Sequence, residues 1–564
     1  MDNNTEISKP VKKEAFDQSL VNENIELFDE HRQRKDIGEF KIEGDTLYKM
    51  HYYADDSKPP KKTFISRNTP FVTRRLKDIE SGQVYFTIKF KDRGRYIHKD
   101  VKASSLITKR DLIMLSDDGL GVTENNAKTL IDFMDLYINE HEIREEEMTT
   151  RIGYINGKFI HPQDEDINII QSGGYQSLID AFKSKSDLNK YANEVFQPIS
   201  NEKTAVFFML GTLASPLLKH FDIDPFIMDL SGRTSAGKTT LLRVCSSIWG
   251  TKDLIGEWNL TKVALERKAA FLNNFPIFLD DTRKASPYVL KDVVYHFSGG
   301  KSKGRGNIKS IDEELTYHNI LISTGEVAIT EYNSEMGGIA ARVVSIENEP
   351  FKNINEYFDL YAALDKHYGT LGTAFMKMYH SDKKYYDTTF QTLETQYFNE
   401  GKGNDVLTRL GRSYAVIHLA GMILNDIPGF EFDLEDVMES NYKAIADGNN
   451  TTYDKPKDLM INFLEWLDSE RPHVKYDHET DDDRAKTFAI WKPEGIYVPT
   501  KVAKDFLDIE SKQIRQQWQV RGFTETFAGG DTSPVKYDKR PIRCLKIPNT
   551  VVKALGFDFA RYTQ

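Results

Sequence analysis

One short stretch of this 564-residue chain constrains its fold more than any other. Residues 231–240 read Ser-Gly-Arg-Thr-Ser-Ala-Gly-Lys-Thr-Thr, which fits the spacing G-x-x-x-x-G-K-[ST]. The apolar run 224–230 before it predicts a short buried strand, and the run 241–249 after it predicts a helix. A strand, a glycine loop and a helix in this order form the setting in which backbone N–H groups cradle phosphates.

The chemistry of the loop residues gives them distinct roles. Gly232 and Gly237 let the backbone wrap closely around a β-phosphate, Lys238 reaches the β- and γ-phosphates, and Thr239 offers its hydroxyl to a metal. The loop therefore predicts ATP and Mg²⁺ as cofactors, with Mg²⁺ held by Thr239. The predicted ATP-binding residues are Gly232, Arg233, Thr234, Ser235, Ala236, Gly237, Lys238, Thr239 and Thr240.

Composition excludes several other classes of protein. The only cysteines, Cys245 and Cys544, lie far apart and have no neighbouring ligands, so neither a disulfide framework nor a zinc site is indicated. No run of about 18 apolar residues occurs, and the first residues resemble no signal peptide, so we expect a cytoplasmic protein without a membrane partner. The net charge of -11 means that any contact with nucleic acid must rely on local basic patches.

Two later strands are predicted to end in polar residues. The run 275–281 ends in Asp280 and Asp281, the form expected of a buried strand that delivers Mg²⁺ and water contacts. We assign Asp280 to the metal and Asp281 to the attacking water, although many such ATPases have Glu there, which leaves the identity of the base open. The run 318–324 ends in Ser323 and Thr324, whose hydroxyls are suited to sensing a γ-phosphate.

Arginines follow these strands at positions from which they can act on phosphates. Arg342 directly precedes a predicted strand and is placed to reach a neighbouring subunit's γ-phosphate, whereas Arg409 opens a helix in the following helical region. For each arginine alone a structural salt bridge is the commoner role. Which of Arg305, Arg342, Arg409 and Arg412 serves as finger or sensor stays open at this stage.

This order of motifs resembles that of the AAA+ ATPases. More specifically, residues 258–261, 294–305 and 323–326 resemble an uncharacterised-domain family of phages, pathogenicity islands and cassette elements, which includes MCM-like, self-loading replication helicases and initiators of the Rep type. The likeness covers roughly residues 40–345. It implies a homo-oligomeric, hexameric ring with ATP sites shared between subunits, in which Arg342 matches the finger, Arg409 the second sensor, and Thr324 or Ser323 the first sensor.

Three basic regions are candidates for DNA contact. The glycine-rich segment 298–309 supplies Lys301, Lys303, Arg305 and Lys309, which suit a loop facing a ring's pore. The alternatives are that Arg305 lies at a subunit interface or that the segment is a solvated loop.

Near the C-terminus, helices are predicted to begin at Thr500 and Ser511. Lys512, Arg515, Gln516 and Gln519 share one face of the second helix, as in a winged helix that reads a major groove, or alternatively one that contacts protein. Between residues 58 and 102, basic and aromatic residues interleave, which suits single strands but equally a solvated sheet face.

Together these patterns predict an α/β protein with an AAA+ P-loop core and a helical lid. The first predicted part is a flexible tail at 1–38. Residues 39–160 are predicted to form an N-terminal domain that is mainly β and contains one helix. The nucleotide-binding core follows at 161–348, the lid at 349–455 and a C-terminal winged helix at 456–564.

The function that we predict is that of an ATP-dependent replicative DNA helicase and initiator of a mobile genetic element. Its expected partners are single- and double-stranded DNA, further copies of the chain, and a separate primase or other replication proteins. One alternative is an ATP-gated, origin-binding assembly switch that opens no duplex. Another is an ATPase acting on protein partners, which is less favoured because the basic segment 298–309 lacks an aromatic residue for gripping polypeptide.

Overall fold

The computed structural model describes residues 36–560 with internal gaps. Left out of the description are residues 1–35, 56, 165, 171–173, 234–236, 303–315, 332–340, 403, 453–454, 477–486, 508–510, 528–529, 538–539 and 561–564. Most of the tail predicted at 1–38 thus lies outside the described residues. Its last part is ordered, because Asp36–Ile37 is a strand that pairs with Phe40 and Lys41.

The N-terminal part contains two sheets that share one core. The first has the order β1-β2-β3-β4, and the second has the order β11-β8-β5-β6-β7, with β9 and β10 forming a separate hairpin. Alternate residues of β6, such as Phe86 and Ile88, pack with Phe133 and Tyr137 of helix α3 in that core. The strands are β1 Asp36–Ile37, β2 Phe40–Glu43, β3 Thr46–His51, β4 Lys61–Ser66, β5 Phe71–Asp78, β6 Val84–Asp92, β7 Arg95–Lys102, β8 Arg144–Thr149, β9 Gly153–Ile155, β10 Lys158–Ile160 and β11 Asn168–Ile169; the helices are α1 Ala103–Ile107, α2 Lys109–Met114 and α3 Ala127–Glu140.

The structure does not divide at residue 160 as simply as the sequence analysis predicts. Strand β11 lies beyond that position yet pairs with β8 of the N-terminal sheet. Conversely, Tyr154 and Phe159 of the preceding hairpin pack against the core of the central sheet. Chain segments near the boundary therefore cross over between the two cores.

The central sheet consists of five parallel strands in the order β13-β14-β15-β12-β16. Strands β12 and β15 are buried along their whole length, and helix α6 beside them is apolar around almost its whole circumference, as expected of a parallel sheet covered by helices. The strands are β12 Phe226–Ser231, β13 Ile255–Glu257, β14 Ile277–Asp280, β15 Ile320–Gly325 and β16 Val343–Ile346; the helices are α4 Gln176–Ala181, α5 Leu188–Tyr191, α6 Lys203–Ala214, α7 Lys238–Ser247, α8 Lys262–Leu272 and α9 Pro287–Phe297.

A group of helices follows the central sheet and packs on it. Helix α13 begins after Asn404, whose side chain accepts hydrogen bonds from the backbone N–H groups of Val406 and Leu407. Its buried face, which includes Tyr414 and Ile417, joins the core of the central sheet. The helices are α10 Phe358–Leu364, α11 Leu371–Ser381, α12 Lys383–Glu400, α13 Asp405–Asn425 and α14 Leu434–Thr452.

The C-terminal part has a core of its own around Trp518, Phe463 and Leu545. Helices begin at Thr500 and Ser511, the positions at which the sequence analysis predicts them. The elements are α15 Lys455–Ser469, β17 Val474–Tyr476, β18 Ala489–Lys492, β19 Gly495–Pro499, α16 Thr500–Leu507, α17 Ser511–Val520, β20 Ser533–Tyr537, β21 Arg540–Pro548 and α18 Asn549–Ala554, and the sheet order is β17-β18-β19-β21-β20. Among the described residues, no helix has the length and apolar character needed to span a membrane.

Candidate functional site

A cleft opens at the carboxyl edge of the central sheet, beyond the ends of β12, β14 and β15. Open α/β sheets bind ligands at this edge. The cavity has a volume of about 530 Å³, which suits a small-molecule ligand. It brings together loop, carboxylate and hydroxyl residues that the sequence analysis identified separately. Its lining residues are Gly237, Lys238, Thr239, Thr240, Asp280, Asp281, Arg283, Lys284, Thr324, Gly325, Glu326, Ile354, Phe358 and Tyr361.

Two carbonyl groups at the start of the glycine loop hold the side chain of Lys238. Gly237 has a φ of +87° and directly precedes helix α7; a Cβ there would lie 2.7 Å from Phe351, so the position requires glycine. Lys238 Nζ donates to the carbonyl oxygens of Gly232 at 2.7 Å and of Arg233 at 2.6 Å, and burial lowers the pKa of Lys238. A phosphate that enters the cleft would replace the two carbonyl oxygens as the hydrogen-bond acceptor of this ammonium group. Thr234, Ser235 and Ala236 lie outside the described residues.

Asp280, the last residue of β14, holds two hydroxyl groups at once. Thr239 Oγ1 donates to Asp280 Oδ2 at 3.0 Å, and Thr324 Oγ1 donates to Asp280 Oδ1 at 2.5 Å. The three side chains come from helix α7, strand β14 and strand β15, which meet because parallel strands end at the same edge. Carboxylate and hydroxyl oxygens are the donors that Mg²⁺ prefers, so this set fits that ion.

Asp281 is held by an arginine that the sequence analysis did not single out. Its backbone has a φ of +62°, and its carboxylate accepts a hydrogen bond from the N–H of Arg283, the second residue of the turn Thr282–Lys284. Arg283 Nε also donates to Asp281 Oδ1 at 3.0 Å, while its Nη1 lies 2.7 Å from Glu326 Oε2. The hydrogen bond from the Arg283 side chain lowers the pKa of Asp281, which keeps the carboxylate ionised.

Close packing holds the turn of Asp281 against the end of β15. Gly325 ends that strand, and a Cβ on it would lie 2.1 Å from Thr282 Oγ1. Any larger residue at 325 would displace the turn that carries Arg283. The glycine therefore sets the spacing between the two carboxylate-bearing segments of the cleft.

The far wall of the cleft is aromatic and comes from helix α10. Phe358 is 84% exposed, and the Tyr361 hydroxyl is hydrogen-bonded to that of Thr240 on helix α7. The Arg243 guanidinium stacks over the Tyr361 ring at 5.1 Å and pairs with Asp365 at 2.7 Å. Exposed aromatic side chains beside a polar cleft offer a packing surface to a planar base.

Ser323 and Thr324 lie on opposite faces of β15. Thr324 lines the cleft, whereas Ser323 Oγ accepts a hydrogen bond from the buried indole of Trp258 at 3.1 Å. Below the loop, Asp229 of β12 accepts a hydrogen bond from the N–H of Ile329 at 2.8 Å, and burial raises the pKa of Asp229 to about 7. Of the two predicted sensor hydroxyls, Thr324 is therefore the one placed beside Asp280.

Three of the predicted arginines, Arg342, Arg409 and Arg412, do not line this cleft. Arg342 precedes β16 at the amino edge of the sheet, opposite the cleft, with its guanidinium 5.0 Å over the ring of Tyr295. Arg409 is exposed on helix α13 and does not line the cavity. Arg412 donates to the carbonyls of Phe221 and Asp222 and pairs with Glu394 at 2.6 Å.

The Arg412 contacts are structural ones. Of the arginines left open by the sequence analysis, Arg305 lies outside the described residues, and Arg412 joins helix α13 to the segment of Phe221 and Asp222. An action of Arg342 on a phosphate would have to take place on another subunit, because its own cleft lies at the other edge of the sheet.

The predicted DNA-binding residues divide into two groups. Lys301 forms a bridge with Thr316 at the base of the segment 303–315, but Lys303, Arg305 and Lys309 lie outside the described residues. On helix α17, Lys512 and Gln516 are exposed, and Gln519 is partly exposed. Arg515 differs, because its guanidinium is paired with Asp531 and its side chain is only 13% exposed. Reading a base with Arg515 would require breaking this pair.

Comparisons with known proteins place these features in context. A protein-family model described as a domain of unknown function (DUF927) matches residues 40–311. A solved structure described as "SCCmec type IV Cch - active helicase" is similar in fold, with a TM-score of 0.63 and 18% identity over 93% of this chain and 99% of that chain. At that identity the likeness establishes the shared fold: this chain has the mixed α/β architecture of that helicase structure.

Two further solved structures of the NrS-1 C terminal region match more weakly. They cover 84% of this chain and 95% and 96% of their own, at 13% and 14% identity, with TM-scores of 0.29 and 0.28 that support no structural argument. No curated protein matches the chain.

Proposed function

We propose that this chain is an ATP-dependent DNA helicase and replication initiator of a mobile genetic element. The observation that carries the proposal is the meeting of Thr239 and Thr324 at Asp280 in one cleft, which Lys238 and Asp281 also line. Two comparisons support the proposal. The chain shares its fold with a structure described as an active helicase, and residues 40–311 match the DUF927 family model. The motif likeness to island replication helicases supplies the biological setting.

The residues of the cleft suit the hydrolysis of ATP. Lys238 and the start of helix α7 bind the phosphates, and Thr324 orients the attacking water. Asp281 accepts a proton from that water, for which its lowered pKa leaves it ionised at neutral pH. Thr239 and Asp280 would hold Mg²⁺, which when bound neutralises charge on the phosphates.

On this proposal the remaining parts convert hydrolysis into movement on DNA. The central sheet with residues 161–348 is the AAA+ core, 349–455 the lid and 456–564 a winged helix that contacts duplex DNA. Copies of the chain form a hexameric ring in which Arg342 reaches the cleft of the next subunit. Lys301 and the basic residues that follow it line the pore and grip phosphates without reading sequence.

The ATPase reaction itself is the first test. We expect hydrolysis that single-stranded DNA stimulates. It should be lost in Lys238→Ala, because Lys238 is the loop cation that lines the cleft beside Thr239 and Asp280. Lys252→Ala, which removes an exposed lysine away from the cleft, is the matched control and should retain the wild-type rate. Hydrolysis that persists in Lys238→Ala would contradict the assignment of the cleft.

One contact favours a second candidate function. Arg283 holds Asp281 against Glu326, and a carboxylate held in this way is less free to activate water. The chain would then be an ATP-gated, origin-binding assembly switch that hydrolyses slowly and opens no duplex. DNA-stimulated hydrolysis without strand displacement would support this candidate over the helicase.

A further inference from the structure

The N-terminal part of the chain contains a strongly basic segment within an acidic protein. Residues 58–102 include 13 Lys and Arg against 4 Asp and Glu, whereas the whole chain has a net charge of -11. Such segregation of charge is the footprint of a polyanion-binding surface. Its strands, β4 to β7, belong to the two N-terminal sheets, whereas the ATP cleft lies at the central sheet and helix α17 belongs to the C-terminal part.

Strands β6 and β7 place three of these lysines on one face. In their antiparallel register Lys91 lies opposite Tyr96, Lys89 opposite His98 and Lys102 opposite Tyr85. The alternate residues of β6 point to the other side and belong to the N-terminal core. We call this surface the β6–β7 face, and its members are Tyr85, Lys89, Lys91, Tyr96, His98, Asp100 and Lys102. Tyr85 and Lys89 are buried beneath it, whereas Tyr96, His98 and Lys102 are exposed.

Cations and aromatic rings are in contact on the β6–β7 face. The ammonium groups of Lys89 and Lys91 lie 4.7 and 5.8 Å from the centroid of the Tyr96 ring, and that of Lys102 lies 5.9 Å from Tyr85. Tyr96 is 42% exposed and lies on β7, the edge strand of its sheet. A ring presented in this way can stack on a base while the lysines beside it bind the neighbouring phosphates.

Acidic groups offset part of the positive charge, and much of that compensation comes from outside the segment. Lys62 pairs with Glu43, Arg74 with Glu146, Arg75 with Glu145 and Lys99 with Asp118, whereas Lys89 and Lys102 lie on the β6–β7 face beside tyrosine rings. Asp100 accepts a hydrogen bond from Thr87 and lies 3.9 Å from Arg74, and Asp45 pairs with Lys91 at 3.2 Å. Burial lowers the pKa of His98, and the nearby charges of Lys89 and Arg74 lower it further, whereas Asp100 opposes them. The field at His98 is thus dominated by cations.

We propose that the β6–β7 face binds single-stranded DNA, with Tyr96 stacking on a base and Lys91 and Lys102 binding phosphates. The proposal rests on the proposed function for its choice of DNA as the polyanion. A single strand is favoured over duplex because only unpaired bases expose their faces to a ring. Strand β7 has eight residues and spans about 26 Å, which offers several nucleotides a continuous track.

This surface is tested by the equilibrium binding of a fluorescent dT20 oligonucleotide to the full-length chain. Binding is measured without ATP at a series of salt concentrations. Tyr96→Ala should weaken binding about 5- to 150-fold with an unchanged salt slope, and Tyr96→Phe should restore it, because the ring supplies the stacking. The pair Lys91→Gln and Lys102→Gln should reduce the slope of log K against log salt by about 1.4, since each phosphate contact on a single strand contributes about 0.7.

Matched controls separate this surface from general charge effects. The pair Lys109→Gln and Lys128→Gln removes two exposed lysines from helices of the same part of the chain and should leave affinity and slope unchanged. Thermal unfolding establishes that each variant is folded. Any of three results would overturn the proposal. Tyr96→Ala could leave the affinity for dT20 unchanged, or the control pair could reduce the salt slope as much as the Lys91 and Lys102 pair does. Tyr96→Ala could also weaken the binding of a 20-bp duplex as much as that of dT20.

The outcome is distinguishable from failure of the proposed function. Basal ATP hydrolysis is measured on the same variants without DNA, and we expect every one of them to keep the wild-type rate, because none lines the cleft. A chain that binds dT20 as described but hydrolyses no ATP would contradict the helicase assignment alone. A chain that hydrolyses ATP but whose dT20 binding ignores these variants would contradict the β6–β7 face alone.

Discussion

At the scale of single residues, the cleft depends on how each carboxylate is held. Asp280 is bonded by the two hydroxyls of Thr239 and Thr324, whereas Asp281 is bonded by Arg283. Two adjacent carboxylates thus have different partners, and on our proposal they have different tasks. Asp280 holds Mg²⁺, and Asp281 accepts the proton of the attacking water.

Removing Arg283 tests the task of Asp281. Its hydrogen bond lowers the pKa of Asp281, so Arg283→Gln should raise that pKa and move the acidic limb of the kcat/KM profile to higher pH. Asp281→Asn should lower kcat about 10²- to 10⁴-fold, as expected on loss of a general base. Lys252→Ala is the control, because Lys252 is exposed and does not line the cleft. An acidic limb that stays in place in Arg283→Gln would mean that another group limits the rate.

A second residue-scale prediction concerns the buried carboxylate of Asp229. Its pKa is raised to about 7, well above that of an unfolded Asp, so the folded chain binds the extra proton and loses stability as pH rises from about 4 to about 7. Asp229→Asn removes this dependence. At pH 8 the free energy of unfolding of the variant should exceed that of the wild type by about 1–4 kcal/mol, which thermal unfolding detects as a higher midpoint, and the advantage should shrink at pH 5. An advantage that grows on acidification would contradict the assigned sign.

At the scale of elements, the strand ends were predictable from the sequence because each ends at a change from apolar to polar residues. The sequence placed the loop, Asp280 and Thr324 at the ends of separate strands, and parallel pairing brings them to one edge. Contacts between distant segments were not predictable. Arg283 meets Glu326 across 43 positions of the chain, and β11 joins the N-terminal sheet, because long-range packing decides both.

The sequence also offered two sensor hydroxyls that it could not separate. Ser323 and Thr324 are adjacent, and only the pleat of β15 determines which one faces the cleft and which one meets Trp258. Likewise, the shared helical face of Lys512 and Arg515 was readable from spacing, but the pair that Arg515 forms with Asp531 was not.

The element-scale prediction concerns the contact between β15 and the turn after β14. Gly325→Ala places a Cβ 2.1 Å from Thr282 Oγ1, so we expect a loss of about 1–3 kcal/mol of stability and a lower kcat, with ATP binding retained because the glycine loop is untouched. Adding Thr282→Ala removes the clashing hydroxyl and should recover part of both losses. Unchanged hydrolysis in Gly325→Ala would show that the turn does not position Asp281.

At the scale of the whole molecule, the proposal requires subunits to complete one another's sites. Arg342 lies at the opposite edge of the sheet from its own cleft. Arg342→Ala and Lys238→Ala should therefore each hydrolyse ATP poorly. A mixture of the two variants should regain activity at up to about a quarter of its sites, which is the share expected when subunits pair at random in a ring. A mixture no more active than its components, or full activity of Arg342→Ala alone, would contradict action in trans.

The most direct test of the central claim is ATP-dependent strand displacement on a forked DNA, measured together with ATP hydrolysis on the same samples. We predict that the wild type separates the strands, that Lys238→Ala abolishes both displacement and hydrolysis, and that Lys252→Ala changes neither. Hydrolysis without displacement would contradict the helicase and favour the assembly switch, whereas displacement that survives in Lys238→Ala would contradict the role of the cleft itself.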